Sequence, residues 1–155
     1  MKAGQVVWIT GGGTGIGRAL ALHWAGAGHK VIVSGRRIEK LEETARLASD
    51  LGKDIETIVC DVTDEESANS CVSKIVHRFG RLDICVANAG FSAIADFESL
   101  TPYEWRRQME VNFFGAIWTI RAALEPIKKS KGRIAVISSV SGKLAAAKTS
   151  AYSAS

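Results

Sequence analysis

The sequence predicts an α/β fold in which a doubly wound parallel sheet carries helices on both of its faces. Three observations support that expectation. Short apolar runs alternate with segments of helical spacing along the whole chain, the pattern of successive β-α-β units. The runs are β-branched and nearly continuous rather than alternating, as expected of strands buried on both faces. A glycine-rich stretch, Thr10-Gly11-Gly12-Gly13-Thr14-Gly15-Ile16-Gly17, stands between the first apolar run and the first helical segment.

Taken in order, the strands are expected at Val6–Ile9, Val31–Val33, Ile55–Cys60, Ile84–Ala87 and Ile134–Ile137. Residues 15–27 form the first helix, with Ile16, Ala19, Leu20, His23 and Ala27 on one face and Gly28 as its stop. Residues 38–51 repeat the spacing with Ile38, Leu41, Ala45, Ala48 and Leu51, followed by Gly52. Asp64 is placed to cap a helix over 65–79, which Gly80 closes. Thr101-Pro102 opens a longer helix, with proline in the first turn and Glu104 as the third helical residue, running to about Ala123. Trp105, Phe113, Phe114 and Trp118 on that segment read as packing residues.

Bulk properties exclude several classes. The 155 residues are 46% hydrophobic and 23% charged, which fits one globular domain with a real core. No apolar run approaches the roughly 18 residues of a membrane span, and the start of the sequence lacks the charged-apolar-small order of a secretion signal. Cys60, Cys71 and Cys85 are scattered with no C-x-x-C pair, so reduced core thiols and a cytoplasmic location are expected. The net charge is +4. Its densest cluster, Lys128, Lys129, Lys131 and Arg133, follows a helical segment and reads as complementing the helix dipole rather than as a nucleic-acid surface. His23, His29 and His77 lack metal-ligand spacing; a surface or helix-face position is expected for each, and no metal.

The glycine stretch carries the chemistry. A strand, a glycine turn and a helix in that order make a phosphate cradle, because the first amides of the helix are unpaired and partly positive. The common dinucleotide spacing G-x-G-x-x-G does not fit, since Gly11 and Gly13 would require glycine where Ile16 stands. T-G-x-x-x-G-x-G does fit, on Thr10, Gly11, Gly15 and Gly17. This stretch resembles the short-chain dehydrogenase/reductase family residue for residue. The resemblance implies a Rossmann-like dinucleotide-binding domain. Its cofactor-binding turn would comprise Thr10, Gly11, Gly13, Thr14, Gly15, Ile16 and Gly17.

The second strand ends Ser34-Gly35-Arg36-Arg37. An acidic residue there would grip the adenosine ribose and repel a 2′-phosphate. Here Gly35 takes the acidic place and two guanidinium groups follow, which suit a phosphate dianion. Ser34, Arg36 and Arg37 therefore point to NADP, with NAD the less favoured cofactor. Asp61-Val62 after the third strand resembles the family's adenine contact. Asn88-Ala89-Gly90 after the fourth resembles the turn that backs the cofactor, with Ala87 where the family usually has another asparagine. Asn112 lies mid-helix, where asparagine is a poor helix former. In the family this residue distorts the helix and holds a water of a proton relay.

The fifth strand ends Ile137-Ser138-Ser139-Val140-Ser141-Gly142, and Ser139 stands 13 residues before Tyr152, the family's serine-to-tyrosine interval. The resemblance thus assigns Ser139, over Ser138 and Ser141, to hold the substrate oxygen, and Tyr152 to exchange its proton. A free tyrosine titrates near about 10. The family lowers that value with a lysine one helical turn on, which would stand at position 156. The sequence ends at Ser155, so the expectation is a natural polypeptide that continues past the catalytic motif. Its further strands would cover a fifth strand otherwise left as an edge. The implied activity is hydride transfer between NADP and a small carbonyl or alcohol substrate, in a homodimer or homotetramer joined through the Asn112 helix. The alternative is an inactive cofactor-binding or interaction module without the lysine. Residues 91–100 border the substrate pocket in similar proteins and do not identify the substrate.

Overall fold

The computed structural model describes residues 4–144 and 146–155. Strands β1 (Val6–Thr10), β2 (Lys30–Gly35), β3 (Ile55–Val59), β4 (Ile84–Ala87) and β5 (Arg133–Val136) form one sheet in the order β3-β2-β1-β4-β5. Every neighbouring pair is parallel; β1 aligns with β2 from Val6–Lys30 to Thr10–Ser34 and with β4 from Val7–Ile84 to Ile9–Val86. The chain runs outward from β1 to β3, then crosses back to β4 on the other side of β1. That reversal opens a crevice at the carboxyl ends of β1 and β4, where open α/β sheets bind ligands.

The helices are α1 (Gly15–Gly26), α2 (Ile38–Ser49), α3 (Glu65–Phe79), α4 (Pro102–Met109), α5 (Gly115–Ser130) and α6 (Ser150–Ala154). Strand side chains alternate between two cores, as the two-residue period of a strand demands. Val6 and Trp8 of β1 join Ile32, Cys85, Ile75 of α3 and Ala123 of α5. Val7 and Ile9 join Val33, Val86, Ala21 of α1 and Leu41 of α2 on the opposite face. Burial on both faces holds for β1, β2 and β4. At the sheet edges it does not: β3 is half-buried, and Arg133, Ala135 and Val136 of β5 are exposed.

The caps expected at α3 and α4 form. Asp64 Oδ1 accepts from the Glu66 amide at 2.9 Å, and Gly80 closes α3 with φ +71°. At α4, Thr101 Oγ1 accepts from the Glu104 amide (3.2 Å) while Glu104 Oε2 accepts from the Thr101 amide (2.8 Å), a reciprocal capping box. The long helix continues past Ala123 to Ser130, through Pro126, because Gly115, Thr119, Ala123 and Ile127 extend one buried stripe.

Three further expectations are corrected. The buried residues of α1 are Gly17, Ala21 and Ala25, not the larger set around Ile16; Ile16 is 61% exposed, and Ala19, His23 and Ala27 are exposed. The start of α1 descends onto the glycine turn, where a Cβ on Gly17 would lie 2.5 Å from the Gly11 carbonyl oxygen. Only the stripe of smallest residues fits that approach. On α2, likewise, Ile38 and Leu51 are exposed (40% and 68%), and Thr44 is buried in their stead. His29 is not at the surface but buried in the α1–β2 connection, 7% exposed. Among the described residues no helix is long and apolar enough to cross a membrane.

Candidate active site

The carboxyl ends of all five strands open onto one cleft of about 500 Å³. Its floor is the turn between β1 and α1. Gly11 and Gly15 adopt φ of +67° and +53°, conformations that favour glycine. Gly11, Gly13, Thr14, Gly15 and Ile16 line the cleft. Thr14 makes no side-chain cap bond, and the first turn of α1 holds no acidic residue. The amides of that helix start therefore present an uncompensated positive end.

Three of the residues expected at the cofactor lie behind this surface rather than on it. Thr10 is 1% exposed, and its Oγ1 accepts from the amides of Asn88 (3.0 Å) and Ala89 (3.1 Å). Asn88 Nδ2 donates back to the Thr10 carbonyl at 2.9 Å. Together they lock the turn after β4 onto the turn after β1, so that Asn88, Ala89 and Gly90 face the cleft. Gly17 is buried against Gly11 and Asn88. Ser34 is fully buried in the core, where its Oγ accepts from the Trp8 indole at 2.9 Å. The indole of a buried tryptophan needs such an acceptor, and β2 supplies it.

One end of the cleft is cationic. Arg36 and Arg37 are exposed at its rim, and among the described residues neither has an ion-pair partner. Lys40 lines the same end; the sequence reading missed it, although it stands four residues after Arg36 in the first turn of α2. Its Nζ meets Glu43 Oε2 at 3.0 Å, and Arg18 meets the other oxygen at 3.1 Å. The hydrogen bond from Lys40, then that from Arg18, holds the Glu43 carboxyl below the usual carboxylate range. Gly35, Cys60, Asp61 and Val62 complete the wall. Asp61 Oδ1 accepts from the Thr63 amide (3.0 Å) and hydroxyl (2.9 Å), which fixes the loop after β3.

The opposite end carries hydroxyls. Ser139 and Tyr152 both line the cleft, as do Ser138, Ser153 and Ser155; Ser141 does not. Ser139 starts the short 3-10 turn Val140–Gly142, and its Oγ accepts from the Ser141 amide at 3.2 Å. That bond leaves the hydroxyl proton free to be given elsewhere. Between α4 and α5 the helix widens into a π turn at Glu110–Phe114, closed by the Gly115 amide on the Glu110 carbonyl. Asn112 sits in the middle of it. Its Oδ1 accepts from the Phe91 amide (3.0 Å), and its Nδ2 donates to the Phe91 carbonyl and to Ser155 Oγ, both at 2.9 Å. The widened turn aims Asn112 at the loop that borders the cleft, and π turns are concentrated at such sites. Phe91, Ser92, Val111, Val136, Ile137 and Gly142 also line the cleft; no polarity or spacing rule singles them out in the sequence. The arrangement sets the glycine turn with its helix-start amides and the residues Ser139 and Tyr152 around one cleft.

Comparisons with known proteins agree with this fold. The family model described as short chain dehydrogenase matches residues 5–155. The chain is 38% identical to an 11-beta-hydroxysteroid dehydrogenase A from Sesamum indicum, across 99% of this chain and 44% of that protein. A putative short-chain dehydrogenase/reductase from Burkholderia xenovorans superposes with a TM-score of 0.93 at 31% identity, covering 98% of this chain and 63% of that one. An alcohol dehydrogenase from Thermococcus sibiricus, complexed with 5-hydroxy-NADP, superposes with a TM-score of 0.89 at 32% identity, covering 97% and 64%. The chain thus spans roughly half to two thirds of the length of these relatives. The family match covers residues 5–155, nearly the whole chain, and the chain belongs to the short-chain dehydrogenase family.

Proposed function

We propose that the protein is an NADP-dependent oxidoreductase, acting in the cytoplasm on a small carbonyl or alcohol substrate. One observation carries the cofactor choice: Gly35 ends β2 without a carboxylate, and Arg36 and Arg37 follow it at the rim of the cleft. A carboxylate there would repel a 2′-phosphate, whereas paired guanidinium groups attract one. The Thermococcus sibiricus relative was solved with an NADP derivative, which supports the same choice.

The residues present fit a dinucleotide. The cradle is made of glycines where a side chain would intrude: a Cβ on Gly11 would lie 2.9 Å from Ala89 Cα, and one on Gly13 would lie 2.9 Å from Lys40 Cβ. The amides at the start of α1 would hold the pyrophosphate. Asp61 and Val62 would border the adenine, and Asn88-Ala89-Gly90 would back the cofactor. When bound, the nicotinamide supplies or takes the hydride.

The protein's part is proton management and orientation. Ser139 would donate to the substrate oxygen and stabilise the charge that develops on it. Tyr152 Oη would protonate that oxygen during reduction and take its proton during oxidation. Asn112 would orient the proton path from the π turn. An oligomer joined through the α4–α5 helix belongs to the same reading.

The test is NADPH oxidation by the protein against a panel of ketones, with Tyr152→Phe and Ser139→Ala as variants. Each variant is expected to lower kcat about 100-fold or more while NADPH affinity stays within about twofold. A Tyr152→Phe variant that turned over at the wild-type rate would remove Tyr152 from the chemistry and overturn the assignment.

A further inference from the structure

The Gly12 and Gly13 carbonyls of the glycine turn are held from outside the cleft by a partly buried polar cluster on α1 and α2. Thr44 is fully buried, and its Oγ1 donates to the Gly12 carbonyl at 3.0 Å, with the Lys40 carbonyl of its own helix at 3.2 Å. Arg18 Nε donates to the Gly13 carbonyl and to Thr44 Oγ1, both at 3.1 Å. A terminal nitrogen of the same guanidinium also donates to Gly13, and the other reaches Glu43 Oε1 at 3.1 Å. The Arg18 side chain is 21% exposed. None of Arg18, Glu43 or Thr44 lines the cleft, whereas Gly13 and Thr14 do.

A trans peptide is planar, and its C=O and N–H point in opposite directions. Fixing the Gly12 and Gly13 carbonyls toward α2 therefore fixes the Gly13 and Thr14 amides away from it. The packing confirms how closely the turn is held: a Cβ on Gly12 would lie 2.5 Å from Val33 Cβ. Without the cluster, the Gly12 and Gly13 carbonyls would lose these donors and the orientation of their peptides would be less firmly set. We infer that Arg18 and Thr44, braced by Glu43, are positioning residues that pre-orient the turn's amides for the pyrophosphate. This inference rests on the dinucleotide reading above and assigns these residues no contact with the cofactor.

The experiment is calorimetric titration of the protein with NADPH, NADH and adenosine 2′-monophosphate, which lacks a pyrophosphate, alongside thermal melts. The variants are Thr44→Val, which keeps the shape and removes the hydroxyl, Thr44→Ser, which keeps the hydroxyl, and Arg18→Leu. Thr44→Val and Arg18→Leu are expected to weaken NADPH and NADH by the same factor, about tenfold. Adenosine 2′-monophosphate, which would meet Arg36 and Arg37 just before α2 and needs no amide of the glycine turn, is expected to stay within about twofold in Thr44→Val. Thr44→Ser is expected to restore dinucleotide binding. Equal weakening of all three ligands, unchanged dinucleotide affinity in a folded Thr44→Val, or failure of Thr44→Ser to restore binding would each overturn the inference. Wild-type protein that bound neither dinucleotide would instead overturn the cofactor reading and this inference with it.

Discussion

Two glycines of one helix show how much a single methyl group decides. Gly17 and Gly26 both lie in α1, where alanine is the better helix former by about 1 kcal/mol. A Cβ at Gly17 would lie 2.5 Å from the Gly11 carbonyl oxygen and 2.6 Å from Asn88 Nδ2, whereas a Cβ at Gly26 meets nothing within 4 Å. Overpacking costs about 1–3 kcal/mol, more than the propensity gain. Gly17→Ala is therefore expected to destabilise the protein by about 1–2 kcal/mol, and Gly26→Ala to stabilise it by about 0.5 kcal/mol, in paired urea denaturations. The motif spacing marked Gly17 as special, and the structure supplies the reason: Gly17 seats the helix on Asn88 and Gly11 instead of facing the cleft. Ser34 illustrates the opposite limit. Its place at the end of the strand that leads to Arg36 suggested the cofactor, but the side chain is buried against the Trp8 indole, a long-range pairing that no local pattern encodes.

At the scale of elements, the long helix from Pro102 to Ser130 is interrupted where its sequence departs from helix-forming residues. Asn112 anticipated the interruption, since its side chain competes for backbone partners. That Phe91 would be the partner depends on the β4 turn folding beneath the helix, which was not legible locally. Asn112→Ala removes three hydrogen bonds to Phe91 and Ser155 and leaves the Phe91 amide without its acceptor. A loss of about 1–3 kcal/mol is expected, read as a lower urea midpoint with an unchanged slope. A variant as stable as wild type would show that the π turn stands without its asparagine. The α1 helix was misread for a related reason. Hydrophobic periodicity ranks Ile16 above Gly17 and Ala21, yet close approach to the sheet selects the small residues and leaves Ile16 over the cleft.

For the whole molecule, the strand order places five loop ends around one crevice, and charge is distributed along it. Cations gather at the β2 end of the cleft, the helix-start amides lie at its floor, and hydroxyls lie at the β5 end. Much of this was legible because the parallel β-α-β pattern, the glycine spacing and the serine-to-tyrosine interval are local and ordered along the chain. What was not legible joins distant segments: Lys40 at the rim and the Arg18–Glu43–Thr44 cluster under the turn, whereas the exposure of β5 follows from its expected place as an uncovered edge. The cationic end is proposed to select a 2′-phosphorylated dinucleotide. The most direct test is calorimetric measurement of Kd for NADPH and NADH on wild-type protein and Arg36→Ala. NADPH is expected to bind the wild type at least about tenfold more tightly than NADH, with Arg36→Ala weakening NADPH by about 10–100-fold and leaving NADH unchanged. Equal affinities in the wild type, or an NADPH preference that survives Arg36→Ala intact, would contradict it.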